Sequence, residues 1–364
     1  MGVKKALKSI SVYALPAGIA FFMISSYMPQ LTEKYYSNVF YKAIAQPVSV
    51  ITGLVPFSVA ELFILFFVIW IIYGTVRAII SITLQRAFTK KKITAFVFSM
   101  IRIAGVIYLS FVLLWGMNYN RLSFAQIAGM NVQPSSLEEL SEVCEILIHR
   151  ANSIRKSIYA DDDTMVLKEG KMDALLRTEK GYRIASEKYP ELAGTYGRPK
   201  PVFFSKFMSY TGIWGIFFPF TAEANINMEI PDSMIPNTIA HEMAHQRGFA
   251  REDEANYIAY LVCSMHPDKD FQYSGLLLAI IHSMNSLYTY DIDEYKRLTS
   301  LYGNGIKNDL KEIDRFSIKY KGPIEQISTE INNAYLKANR QREGVHSYGR
   351  MVDLLIAEYR NSKR

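Results

Sequence analysis

The chain has 364 residues, 50% hydrophobic, 13% aromatic and only 21% charged, with a formal net charge of +7. That length allows two domains, or one domain with membrane spans. The positive charge lies largely beside apolar runs and no basic stripe or recognised nucleic-acid module accompanies it, which argues against nucleic-acid binding. The two cysteines, Cys144 and Cys263, have no CxxC neighbour, so a cysteine zinc site or redox motif is excluded and two buried thiols are expected.

In chain order, residues 10–28, 57–76 and 93–115 are three apolar stretches. Each is near the ~20 residues that cross a hydrocarbon core of ~30 Å, so each is read as a transmembrane helix. The first has the basic start of a signal peptide but no small-x-small cleavage site, and reads as a retained anchor. Lys4, Lys5 and Lys8 precede it, and Arg77, Arg86, Lys90, Lys91 and Lys92 lie between the second and third stretches; only Lys34 and Lys42 lie between the first two. The positive-inside rule then puts the N-terminus in the cytoplasm and residues 119–364 outside, with 1–118 as the membrane domain. Glu61 and Arg102 fall inside apolar runs, and their expected place is at the outer interface and snorkelling inward, respectively. The aromatic segment 32–50 is expected to lie along the outer interface.

Beyond residue 120 helical periodicity dominates. Helices are expected over 134–159, with a capping box at Ser135/Glu138 or Ser136/Glu139, and over 171–188. Residues 199–232 read as short strands and loops, with "EANINMEI" (223–230) as the best strand. "GIWGIFFPF" (212–220) fits core, a flap over a site, or a surface on the bilayer. Further helices are expected over 234–248, starting near Asn237, and over 251–265, 271–288, 291–302, 307–341 and 348–361.

His241-Glu242-Met243-Ala244-His245 spells HExxH. On a helix, positions i and i+4 share a face, so both imidazoles reach one ion, and Glu242 is placed to take a proton from water. Ile239, Met243 and Ala244 make the helix apolar and buried, and buried imidazoles need partners. Gly248 permits a left-handed turn. A second helix follows with Glu252, Asp253 and Glu254 in its first turn. A catalytic zinc takes three protein ligands and an open position, and Arg251 stands where a third histidine would in one common spacing, so an acid must serve. In a tight helical hairpin centred near 249, spacing favours Glu254.

This pattern resembles the zincin metallopeptidases, the gluzincin branch in particular. The resemblance implies a glutamate ligand in a Glu-x-x-Ala-Asn/Asp pattern on the second helix. "EDEAN" matches it, with Glu252 as ligand, Ala255 as the small packing residue and Asn256 as a partner to a ligand. Glu252 and Glu254 both stay open. The resemblance also implies an edge strand along the cleft, assigned to "EANINMEI", and a transition-state stabiliser from among Tyr257, Arg251 and His282. The whole chain further resembles a family of uncharacterised bacterial multi-pass membrane proteins sharing the extended signature HExAHQRGFxxExEAN, "WGMNYNRLSF" (115–124), "FFPFTAEANIN" (217–227) and "SYGRMVDLLIAEY" (347–359). The expectation is a mainly α protein: three transmembrane helices, then an extracytoplasmic zincin-like α+β domain with a small sheet. Its implied function is Zn2+-dependent hydrolysis of a membrane-proximal or cell-envelope peptide at the outer face of the cytoplasmic membrane. The alternative is a non-catalytic zincin-like receptor or scaffold for a cell-envelope partner.

Overall fold

A computed structural model describes residues 11–84 and 90–363. The chain is mainly helical. The helices that matter here are α1 (Ala14–Tyr27), a π-helical stretch (Thr32–Tyr41), α2 (Lys42–Gly53), α3 (Val59–Leu84), α4 (Lys90–Leu114), α5 (Leu137–Arg155), α6 (Gly170–Arg177), α7 (Glu179–Lys188), α8 (Ile235–Gln246), α9 (Glu252–Met265), α10 (Lys269–Tyr290), α11 (Ile292–Thr299), α12 (Asn304–Tyr320), α13 (Pro323–Ala338) and α14 (Met351–Ser362). Strands β1 (Ala160–Asp161) and β2 (Thr164–Met165) pair as a hairpin. Strands β3 (Lys200–Pro201), β4 (Gly215–Phe218) and β5 (Glu223–Ile226) form a sheet in the order β3-β5-β4.

Among the described residues two helices, not three, are long and apolar enough to cross a membrane. Their windows are Val59–Arg77 and Phe96–Leu114, each of 19 residues, and only 6% and 11% of these windows is buried in the protein. A soluble core helix would bury its apolar side chains; these leave most of theirs exposed. The expected first span is corrected to a shorter helix. α1 has 14 residues, about 21 Å at ~1.5 Å per residue. It ends at Met28, which Pro29 holds out of the helical region at φ −130° and ψ 55°. Its Gly18 meets Tyr108 and Leu109, and Leu15 meets Gly105, so α1 runs alongside the second half of α4 through small-residue contacts. Lys4, Lys5, Lys8 and Arg86 lie outside the described residues, as do the side chains of Lys90, Lys91 and Lys92.

Both membrane-length helices are tied to the rest of the chain. The first free amides of α3, on Val59 and Ala60, donate to the two Glu223 carboxylate oxygens at 3.1 and 2.7 Å. A carboxylate at a helix N-terminus satisfies orphan donors and the helix dipole together. Glu61 in turn accepts from the Phe203 and Phe204 amides, both at 2.9 Å. It is a structural acceptor in the first turn of α3, not a free interfacial charge. Arg102 is half-buried and lines a cavity of about 600 Å³ with Phe66, Trp70 and Ser99 between α3 and α4.

The segment between the expected first two spans does not simply lie on the interface. Glu33, Tyr36, Ser37, Tyr41 and Ala45 are buried, and Tyr41 donates to the Gln246 carbonyl at 3.0 Å. The π-helical stretch and α2 therefore belong to the body that holds the HExxH helix.

Other differences have local causes. The predicted helix 307–341 is two helices because Gly322, extended at φ 175°, precedes Pro323 at the start of α13. The predicted helix 171–188 divides into α6 and α7 around Thr178. The capping box uses Ser136 and Glu139. α8 begins at Ile235 with Pro236 in its first turn, so Asn237 is inside the helix, its amide nitrogen donating to Ser274 of α10. Of "EANINMEI", only Glu223–Ile226 is strand, and it is the central one, buried throughout. "GIWGIFFPF" supplies β4, the edge. Phe217 packs on Trp115, with ring centres 4.7 Å apart, and Phe218 and Phe220 pack on Phe63 of α3. α8, α9 and α10 form the core with α5 and α14. Cys144 and Cys263 are both buried and unpaired.

Candidate metal centre

α8 and α9 form a tight helical hairpin. α8 ends in a Schellman turn: Phe249 N–H donates to the Ala244 carbonyl at 3.1 Å and Gly248 N–H to the His245 carbonyl at 2.8 Å. Gly248 sits at φ +88°, and a side chain there would also press on Tyr41 and Asn118. The turn is clamped from outside. Arg121 forks onto the Glu33 carboxylate at 2.8 and 2.6 Å, donates to the Gly248 carbonyl at 3.0 Å, and lies 4.0 Å from the centre of the Phe249 ring. Both ends of this ion pair are buried. Removing one end leaves the other as an uncompensated buried charge. Glu33→Ala should therefore destabilise the full-length protein by ~3–5 kcal/mol. Denaturant unfolding in detergent measures this; a loss below ~1 kcal/mol would contradict the clamp.

The hairpin brings His241, His245 and Glu252 together, with one potential ligand atom from each within 4.8 Å of the others. Glu252 Oε2 lies 3.1 Å from His241 Nε2 and 3.5 Å from His245 Nε2. The far ring nitrogens are engaged: His241 Nδ1 with Asn256 Oδ1 at 2.8 Å, His245 Nδ1 with the Phe249 carbonyl at 2.7 Å. A carbonyl facing Nδ1 takes the N–H there, so Nε2, the atom toward Glu252, is the one that could bind a metal once it gives up its proton. The rings stand at 89° to one another, and Trp115 meets His245 edge-on at 5.9 Å. Burial works to lower the His245 pKa, but the Glu252 carboxylate outweighs it and lifts it to about 9. Burial works to raise Glu252, but the two imidazoles hold it well below the usual carboxylate range. These three residues could hold a metal ion.

Glu242 is buried near the imidazoles, with Oε2 free of any partner among the described residues. Burial raises its pKa, and the two histidines oppose that. Gly215 of β4 sits directly on it: a Cβ at 215 would lie 2.6 Å from Glu242 Cγ. The glycine is what lets the edge strand approach the carboxylate.

Glu254 is elsewhere. Its Oε1 accepts from the Phe124 amide at 3.0 Å and from Arg251 at 2.8 Å. Asn256 is at the centre, its Oδ1 beside His241 Nδ1. Of the three expected stabilisers, only His282 on α10 stands beside the cluster, its pKa lowered to about 4 by burial and then by His241. Tyr257 is in the core, packed on Phe124 and Tyr260. Arg251 is occupied by Glu254 and the Arg121 carbonyl. Two tyrosines escape sequence reasoning. Tyr119 donates to the Tyr335 hydroxyl at 3.0 Å. Burial raises both pKa values, Tyr335 to about 12, and both feel the Glu252 charge. Residues 119 and 335 share no local spacing with the motif, so only the fold brings them there.

Fold and site together define a mainly helical protein with two membrane-length helices and a largely buried His–His–Glu cluster on a helical hairpin. Residues 36–356 match the family described as "Protein of unknown function (DUF3810)", and the chain belongs to that family. The matched region starts within the π-helical stretch, so it takes in Tyr41 and Arg121, which brace the hairpin, both membrane-length helices and the cluster, while Glu33 lies just before it. No curated protein and no solved structure matches the chain.

Proposed function

We propose that the protein is a membrane-anchored zinc metallopeptidase of the zincin type, with Zn2+ held by His241, His245 and Glu252. The observation that carries this reading is the donor set. Ligand atoms on a tetrahedral zinc are separated by roughly 3.3 Å, given bonds of ~2.0–2.1 Å, and Glu252 Oε2 lies 3.1 and 3.5 Å from the two Nε2 atoms. Three protein ligands leave a position open, as catalytic sites require. Lewis-acid chemistry at a carbonyl would be supplied by a Zn2+ ion bound there.

The rest belongs to the chain. Glu242 takes a proton from the attacking water; the water oxygen bonds to the peptide carbonyl carbon; the C–N bond breaks and the proton passes to the leaving nitrogen. Asn256 and the Phe249 carbonyl fix the imidazoles. β4 offers its outer edge to an extended substrate backbone, which would add as a further strand. Tyr335, Tyr119 and His282 flank the cluster and are the candidates for oxyanion stabilisation. The basic residues between α3 and α4 favour a cytoplasmic loop, which puts the site on the outer face of the cytoplasmic membrane. Because the ends of α3 and α4 that meet the site-bearing body lie on one side, this orientation needs only two spans.

The test is cleavage of a peptide library by the purified full-length protein before and after chelation. We expect cleavage to disappear with a zinc chelator and return with added Zn2+. Cleavage that survives complete metal removal would contradict the reading. Zinc binding without any cleavage would favour the non-catalytic receptor.

A further inference from the structure

We propose that an arc of exposed apolar side chains beside the candidate centre, Phe203, Phe204, Phe207, Ile324, Ile327 and Ile331, lies in the interfacial layer of the lipid bilayer. The surface goes beyond the two membrane-length helices and holds the candidate centre close to the membrane.

α13 is amphipathic the wrong way round for a helix on a water-soluble body. Ile324, Ile327 and Ile331 recur at helical spacing on one face and are 53, 58 and 65% exposed. The residues turned inward are Leu336 and the half-buried Glu325, Ser328, Asn332 and Asn333. Burying polar groups while baring three isoleucines is sensible only if something apolar covers them. The same holds for Phe203, Phe204 and Phe207, which are 86, 51 and 63% exposed at and within the short helix Ser205–Tyr210.

What covers them follows from where the arc is pinned. At one end Phe203 and Phe204 hang by their amides from Glu61, in the first turn of α3. At the other end Tyr335 of α13 packs on Phe111, one turn from the end of α4, with ring centres 6.2 Å apart. In between, Tyr210 packs edge-on against Tyr320 at 5.0 Å, joining the phenylalanine segment to the end of α12, just before α13. The arc therefore runs from the end of one membrane-length helix to the end of the other. A surface pinned at both ends to the membrane boundary lies along that boundary. Its composition, aromatic at one end and aliphatic on an amphipathic helix at the other, suits the headgroup–acyl layer. β4 and α13 flank the cluster: Gly212 meets Glu325 at one end, while Phe217, Trp115, Tyr119 and Tyr335 meet in turn at the other. The arc therefore brings lipid close to the cluster, and a polypeptide emerging from the bilayer would reach it by a short route.

The experiment places an environment-sensitive fluorophore on single cysteines in the full-length protein in lipid nanodiscs; Cys144 and Cys263 are buried and stay unlabelled. Labels at Ile327→Cys and Phe207→Cys should be quenched by nitroxide-bearing lipids and protected from aqueous iodide. A label at His149→Cys, on α5, should behave oppositely. Ile69→Cys, mid-way along α3 and 56% exposed, is the control for the span itself. Quenching at 69 but not at 207 and 327 overturns the arc while leaving the spans intact. Protection of 207 and 327 from both quenchers also overturns it, in favour of a protein partner or a second copy of this chain. No quenching at 69 overturns the membrane reading with it. None of these outcomes depends on zinc or on hydrolysis.

Discussion

Glu242→Ala should cost about 10²–10⁴-fold in peptide cleavage, the range for a positioned general base, while leaving zinc bound. The separation of the two effects is the content of the prediction. Glu242 contributes no atom to the His241–His245–Glu252 cluster, and its Oε2 has no partner among the described residues. Truncation removes a proton acceptor and relieves a buried carboxyl, so the hairpin should persist. Loss of zinc together with activity would mean that Glu242 props the imidazoles instead of acting on water. Cleavage within a few-fold of wild type would remove it from the mechanism.

The second large effect separates the two glutamates of α9. Glu252→Gln should weaken zinc binding by well over the ~10–100-fold seen when a residue supporting a ligand is lost, because here the ligand itself is changed. Glu254→Gln should keep zinc and lose stability instead, by ~1.5–3 kcal/mol, since Glu254 holds the Phe124 amide and Arg251 from a buried position. Competition with a zinc-sensitive dye measures the first, and denaturant unfolding the second. Zinc lost from the Glu254 variant and kept by the Glu252 variant would reverse the assignment.

The contrast shows how far local pattern reaches. Helical spacing alone puts His241, Glu242 and His245 on neighbouring positions, and Gly248 alone announces the turn. The phase of α9 against α8 is not local. It depends on Phe124 and Arg121, more than a hundred residues upstream, which claim Glu254 and brace the turn so that Glu252 faces the imidazoles. Hairpin spacing without those contacts pointed to Glu254. The same limit applies to Tyr119 and Tyr335.

Hydropathy found α3 and α4 because one apolar composition runs along each whole helix. It overran at the start of α1, where residues 11–13 form a turn before the helix begins. The aromatic segment 32–50 suits a membrane interface or a protein core equally well. The hydroxyl of Tyr41 on the last carbonyl of α8 is what commits its buried face to the core. "EANINMEI" alternates as a half-exposed edge strand would, yet it is central. Its polar residues Glu223 and Asn225 face the start of α3, where the Val59 and Ala60 amides and Ser58 take them up. Polar side chains that serve buried partners look, in sequence, like ones that serve water.

The central claim is that this hairpin is a zinc site, and the most direct measurement is the zinc content of the purified full-length protein by elemental analysis. After equilibration with Zn2+ and removal of the excess, the account predicts about one zinc per chain, lost when His241 and His245 are replaced together. A wild-type chain that retains no zinc, or a double variant that retains as much as wild type, would contradict it.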